Sequence, residues 1–414
     1  MFFQNILEMK RLFDLTKKHK ITTHPVLLFC LYPLVHHKIE SSLVIIFILI
    51  ICFLLSIKKT SIKKIKQHWL IIIIPLAIGI ISSPDIVEGS RLSLRKISLV
   101  LIPVFAGLLR YRKPEALRVL FFKLFFLINI IYVFIHSAFF LIFKNPKYVY
   151  YDSNFFRNAL INNPIIGEHP IYVSIFISIS ILGGIYLLSK TTNNMLKRLL
   201  ILGFFLKVTF LILVMSRTNL IVLALLSPIL IYKLRVLEPK QILVAGLIIL
   251  SIFLFLPTQN NRFQELYRVD INSEFNMNSS TSQRIFLFKC AYKSLTTTPF
   301  FGYGFSHSNI EINKCLISET GHDLKLNTHN QFVDFFLATG VIGLMAFIFW
   351  LFNIFKKALL TKDYMFIVVF LMYFFCMLFE NVLNRQTGII FFSFIISFLF
   401  NTSDNKSETP IFKR

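Results

Sequence analysis

Arg217, Arg284 and His329 are the side chains of this 414-residue sequence whose types and settings suit chemistry on a phosphorylated group. His329 heads the stretch HNQFVDFFLATGVIG, where a long polar segment gives way to a long apolar one. Thr328, followed three residues later by Gln331, has the form of a capping box and predicts a helix starting at His329. Backbone N–H groups at such an end, with the positive end of the helix dipole behind them, suit a phosphate. A neutral imidazole beside them can accept a proton. Further in, Gly340 and Gly343 fall on nearly one face and predict close approach of another helix. Taken alone, a histidine that anchors at an interface above glycines that pack explains the stretch equally well.

The two arginines shift that balance. Arg217 sits in MSRTNL between two apolar segments with almost no linker, a costly place for a guanidinium without a partner or a ligand. Arg284 opens RIFLFKCAYKSL, where Phe288, Ala291 and Leu295 recur at helical spacing and predict an amphipathic helix on a membrane surface. The bland reading of Arg284 is a solvated or headgroup contact. Guanidinium forks pair with phosphate oxygens two at a time, which suits a pyrophosphate at that surface. Asn330 stands next to His329, and GEHPIY sets His169 and Tyr172 at the outer mouth of the sixth apolar segment. All three are candidate substrate contacts. Lys207 falls inside a segment, where pairing or snorkelling competes with a functional role. His307, His322 and Asp323 have no metal-ligand spacing, and no HExxH, CxxC, P-loop or DxD pattern occurs. No cofactor and no metal site is expected.

The elements that position these groups follow from composition. Hydrophobic residues make up 56% of the chain, 48 residues are phenylalanine, and the mean hydropathy is +0.70. Apolar runs recur throughout, which predicts an all-α polytopic membrane protein. Twelve segments are expected, near 25–36, 42–57, 68–83, 97–109, 119–143, 171–189, 199–215, 219–232, 242–256, 331–355, 364–380 and 387–400. Alternate linkers are basic and hold most of the 44 Lys and Arg residues, which puts them and both termini in the cytoplasm. Much of the net charge of +24 is therefore topology, and no nucleic-acid partner is expected. The expected organisation is a cytoplasmic amphipathic arm (1–24), spans one to nine (25–256), a long, partly helical periplasmic loop (257–328), spans ten to twelve (329–400) and a cytoplasmic tail (401–414). Within the loop, Cys290 and Cys315 can form one disulfide if it faces an oxidising compartment. Cys30, Cys52 and Cys376 read as small apolar side chains.

HN, nine residues, then GVIG fits the H[NSQ]-x9-G-x-x-[G/T/Y] signature, and on it the chain resembles the O-antigen ligase family. His329, Asn330, Gly340 and Gly343 fill the fixed positions. The order of parts agrees: SRTN after a span, a long loop, an arginine early in an amphipathic helix followed by PFFGYG, then the histidine. The likeness covers about residues 165–345 in motif. It implies an inner-membrane enzyme of a GT-C-like class, with its site facing the periplasm. Its donor would be a glycan on undecaprenyl pyrophosphate, and its acceptor a hydroxyl of lipid A–core or of a growing glycan. By resemblance His329 is the base or acceptor-positioning residue, and Arg217 and Arg284 hold the pyrophosphate. A ligase, a polysaccharide polymerase and a protein O-glycan transferase all share this donor site. A transporter of lipid-linked sugars is the alternative from another class, against which stands the gathering of polar groups in one outer loop rather than within the spans.

Overall fold

A computed structural model describes residues 24–58, 67–109, 114–143, 153–238, 275, 280–323 and 326–403. Residues 1–23 of the expected arm, the ninth segment, loop residues 257–274 and the tail from 404 lie outside the described residues. Among the described residues the structure is helical throughout, with fifteen α-helices and no strand. In chain order these are α1 (His24–Leu28), α2 (Glu40–Lys58), α3 (Ile73–Ile81), α4 (Ile86–Lys96) and α5 (Ser98–Leu108). Next come α6 (Pro114–Phe143), α7 (Ser153–Ile161), α8 (Pro170–Lys190), α9 (Asn194–Val214) and α10 (Arg217–Lys233). The last five are α11 (Ser280–Thr297), α12 (Ser308–Thr320), α13 (Gln331–Thr361), α14 (Tyr364–Phe379) and α15 (Gln386–Thr402). Every expected apolar segment except the ninth coincides with a helix or a run of helical turns. Three of these helices, α6, α8 and α13, are long and apolar enough to cross a membrane by length and composition.

Local signals explain several boundaries. Pro170 occupies the first turn of α8, where a missing N–H costs nothing. Asn193 caps α9 through the N–H groups of Met195 and Leu196, and Asp363 caps α14 through that of Phe366. α8 is buried along nearly its whole length, with α6, α9 and α10 packed around it. The core between helices is aromatic: Phe29 stacks on Phe394 at 3.9 Å and Phe335 on Phe347 at 4.1 Å.

The outside of the bundle is apolar as well. On α9, Leu199, Leu202 and Phe205 are 52%, 68% and 65% exposed, so one face of the helix presents hydrocarbon outward. Water would penalise that face and lipid would not. Lys207, on the same helix, points the other way. Its Nζ donates to the Phe126 carbonyl and to Ser180 Oγ at 3.0 and 2.9 Å, so pairing within the bundle accounts for this charge.

Candidate functional site

One end of the bundle gathers the groups singled out by type. Asn219, in the first turn of α10, ties three helices together there. Its amide donates to the Ile171 carbonyl and to Ser174 Oγ at the start of α8, and its oxygen accepts from Cys376 Sγ near the end of α14. The start of α10 is thereby fixed beside the start of α8 and the end of α14. Arg217 is the first residue of α10 and half-buried. Arg157, from the connection before α8, donates to the Val214 carbonyl at 3.0 Å and so helps hold the turn that presents Arg217.

His329 and Arg284 meet on a residue that the sequence reading did not single out. Glu380 ends α14 in extended backbone. One of its oxygens lies 2.8 Å from His329 Nδ1, and the other pairs with Nη2 of Arg284. The carboxylate accepts only, so Nδ1 of His329 carries a hydrogen, and a neutral ring has Nε2 as its acceptor. Burial alone would raise the Glu380 carboxyl. The His329 hydrogen bond and the Arg284 charge outweigh it and hold the group below the usual carboxylate range. The visible signal was a carboxylate closing an apolar segment in the short linker ENVLNR, in a chain with 20 acidic against 44 basic residues.

The linker that carries Glu380 is anchored from below by a buried polar network. Asp334, one turn into α13, accepts from the amides of Asn381 and Asn384 at 3.3 and 3.1 Å. Lys96 Nζ donates to the Leu383 carbonyl and to Asn384 Oδ1. The Leu383 N–H donates to Gln331 Oε1 at 2.6 Å. Tyr172 belongs to the same support: it is 3% exposed and its hydroxyl donates to the Val382 carbonyl. It positions the linker from within the core.

The head of α13 differs from the expected one. Asn330, not Thr328, is the cap: its Oδ1 accepts from the N–H groups of Phe332 and Val333. Thr328 donates instead to the Asn330 carbonyl, and Gln331 is spent on Leu383 and Asp334, so no capping box forms. Two of the N–H groups expected to face a phosphate are thus satisfied by Asn330 itself. His329 precedes the helix with a φ of +46°, which turns its ring out of the helical path towards Glu380.

Gly340 also acts differently from expectation. Gly340 has a φ of +63° and breaks the regular path of α13. The PFFGYG loop docks at the break: Tyr303 and Gly304 donate to the Leu337 and Ala338 carbonyls, and Val341 donates to Phe300 O. A Cβ on Gly340 would lie 1.9 Å from that Phe300 oxygen. A loop, rather than a helix, makes the close approach at Gly340.

α11 buries Leu287, Cys290 and Ala291 against Ile312 and Leu316 of α12 and Leu337 of α13. Of the expected apolar row Ala291 is buried, while Phe288 and Leu295 are 40% and 41% exposed and lie on the outer side of the helix. The Cys290–Cys315 disulfide, with a Cα–Cα distance of 5.6 Å, ties this buried face to α12. Arg284 then falls one turn before Leu287, on the side towards Glu380.

His169 precedes α8 and faces the same end of the bundle. Its Nδ1 is buried with no hydrogen-bond partner among the described residues. Burial first, then the charges of Arg385 and Arg157, push its imidazole down to about 4, so it is neutral near pH 7. Among the described residues no group of three or more His, Cys, Asp and Glu side chains is arranged to hold a metal ion. Residues 202–348 match the family model described as O-Antigen ligase, a segment that contains Arg217, Arg284, His329 and Asn330 and stops short of Glu380. No curated protein matches the chain.

Proposed function

For a chain whose residues 202–348 belong to the O-antigen ligase family, we propose that it is a membrane glycosyltransferase of the ligase type. It transfers a glycan from undecaprenyl pyrophosphate to a hydroxyl of lipid A–core at the periplasmic face of the inner membrane. The observation that carries this reading is the Glu380 carboxylate shared by His329 and Arg284. An imidazole and a guanidinium on one carboxylate support a proton acceptor and a phosphate ligand side by side.

In this reading the acceptor hydroxyl gives its proton to Nε2 of His329 as its oxygen forms a bond to the anomeric carbon. The bond from that carbon to the pyrophosphate oxygen breaks, and the lipid pyrophosphate leaves with the electron pair. Arg284 and Arg217 balance the charge that develops on the leaving oxygen. Glu380 keeps the imidazole in one tautomer and steadies it once protonated, as the third group of a nucleophile–base arrangement does. Asn330 and Tyr172 act as positioning residues, and His169 borders the acceptor side. Pyrophosphate is already a good leaving group, so the proposed transfer needs neither metal nor nucleotide. The twelve-span topology belongs to the same proposal. The Cys290–Cys315 disulfide supports an oxidising compartment for α11 and α12.

The lipopolysaccharide profile of a deletion strain tests the acceptor. Loss of all O-chain from core is expected. A core bearing a single repeat unit would mean that the same donor site serves a polymerase.

A further inference from the structure

A cavity of about 450 Å³ reaches the site through His169, and the mechanism above leaves it without an occupant. Its volume lies inside the roughly 300–1,000 Å³ of small-molecule sites. Arg95 and Arg385 are exposed at its rim, and the Arg385 charge reaches His169 and Glu168. Its floor is carboxylic: Glu40 is 1% and Glu168 8% exposed.

Thr387 Oγ1 lies 2.9 Å from Glu40 Oε2 and 2.8 Å from Glu168 Oε2. A hydroxyl has one hydrogen and can donate to only one of them. The other contact requires a carboxyl that is itself protonated and donates to the hydroxyl oxygen. The floor therefore holds one carboxylate and one carboxylic acid side by side, the state that two buried acids in contact adopt. Both hydrogens are spent within this trio, so towards the cavity the pair presents acceptor oxygens with a single negative charge. His169 adds a buried ring nitrogen without a partner among the described residues. Neighbouring hydroxyls of a sugar match this set, each donating its hydrogen to one of these acceptors. A phosphate does not, because its oxygens would meet the carboxylate.

We propose that this cavity seats a neutral sugar ring, hydroxyls down on Glu40 and Glu168, next to the transfer centre. The assignment rests on the transferase reading and deepens it by giving the glycan a place apart from the pyrophosphate.

The test is binding to the full chain in nanodiscs of phosphatidylethanolamine and phosphatidylglycerol, read by saturation-transfer NMR. The probes are the methyl glycosides of glucose, galactose, rhamnose and N-acetylglucosamine, with inorganic phosphate as competitor. At least one glycoside should receive saturation, and phosphate should not displace it. The double variant Glu40→Gln/Glu168→Gln keeps the shape and removes the charge, and should weaken that glycoside about tenfold, since charged acceptors bind hydroxyls roughly twice as strongly as neutral ones. Ser41→Trp, which fills the rim without touching the carboxyls, should do the same. No binding by any glycoside, equal binding by wild type and both variants, or displacement by phosphate overturns the assignment. A chain that binds glycoside yet transfers nothing from a lipid-linked donor upholds the cavity and sinks the transferase reading. A chain that transfers but binds no glycoside does the reverse.

Discussion

His329 can serve as a base only through Nε2, and Glu380 is the group that commits its other nitrogen. Removing the ring in His329→Ala should leave donor binding intact and lower turnover by roughly 10²–10⁴, the usual worth of a general base. Glu380→Gln keeps the shape but can offer an N–H to Nδ1, so the wrong tautomer becomes available and turnover should fall although His329 is present. The same variant gives a stability test with a defined sign. Glu380 lies below the usual carboxylate range in the folded chain, so its charged contacts stabilise the fold at pH above that range. That contribution is lost as pH falls through the folded value. Thermal melts should show wild type ahead of Glu380→Gln near neutral pH and the gap closing below about pH 4. A gap that stays constant with pH would mean that the carboxylate's charge contributes nothing. His329 and Arg284 were legible because the histidine heads the HN-x9-GVIG pattern and the arginine opens an amphipathic run, both readable from neighbouring residues. Glu380 was not, because its partners lie 51 and 96 residues away and only the fold brings them together.

At the scale of elements, Gly340 and the disulfide do the positioning. The pattern HN-x9-GVIG marked Gly340, but its reason is tertiary: a left-handed φ and the Phe300 carbonyl where a Cβ would stand. Gly340→Ala should cost more than about 1 kcal/mol from the backbone strain alone, and should also release the PFFGYG loop. Hydrogen exchange at Tyr303 and Gly304, whose N–H groups dock on α13, is the measurement. Unchanged protection there would show that the break does not hold the loop. Cys290→Ser should destabilise the α11–α12 pair by roughly 2–4 kcal/mol, the usual worth of a disulfide, and lower activity through Arg284. Proteolysis confined to α11 and α12 in the variant is the expected sign. The helices were readable as apolar runs. The face that α11 buries was not, since Leu287 and Phe288 are both apolar and the choice rests on packing against α12 and α13.

At the scale of the whole molecule, the proposal is that one end of a helical bundle faces the periplasm and joins a lipid-bound glycan to an acceptor. The basic linkers predict that side, and a reporter fused after Asn278 should be active only as a periplasmic reporter. Transfer in vitro should persist in chelator and without ATP; a loss restored by a divalent ion would reveal a metal dependence that the ligand spacing does not suggest. The central claim is that His329 reacts while Arg284 and Arg217 grip. Purified variants with a lipid-linked donor, assayed for binding and for transfer side by side, test it most directly. Lysine keeps the charge of arginine and loses the fork, so Arg284→Lys and Arg217→Lys should lose donor affinity, turnover or both. His329→Ala should bind donor as wild type does and transfer almost nothing. If His329→Ala instead abolishes donor binding while both lysine variants work normally, the histidine is a pyrophosphate ligand, the arginines are anchors, and the account is contradicted.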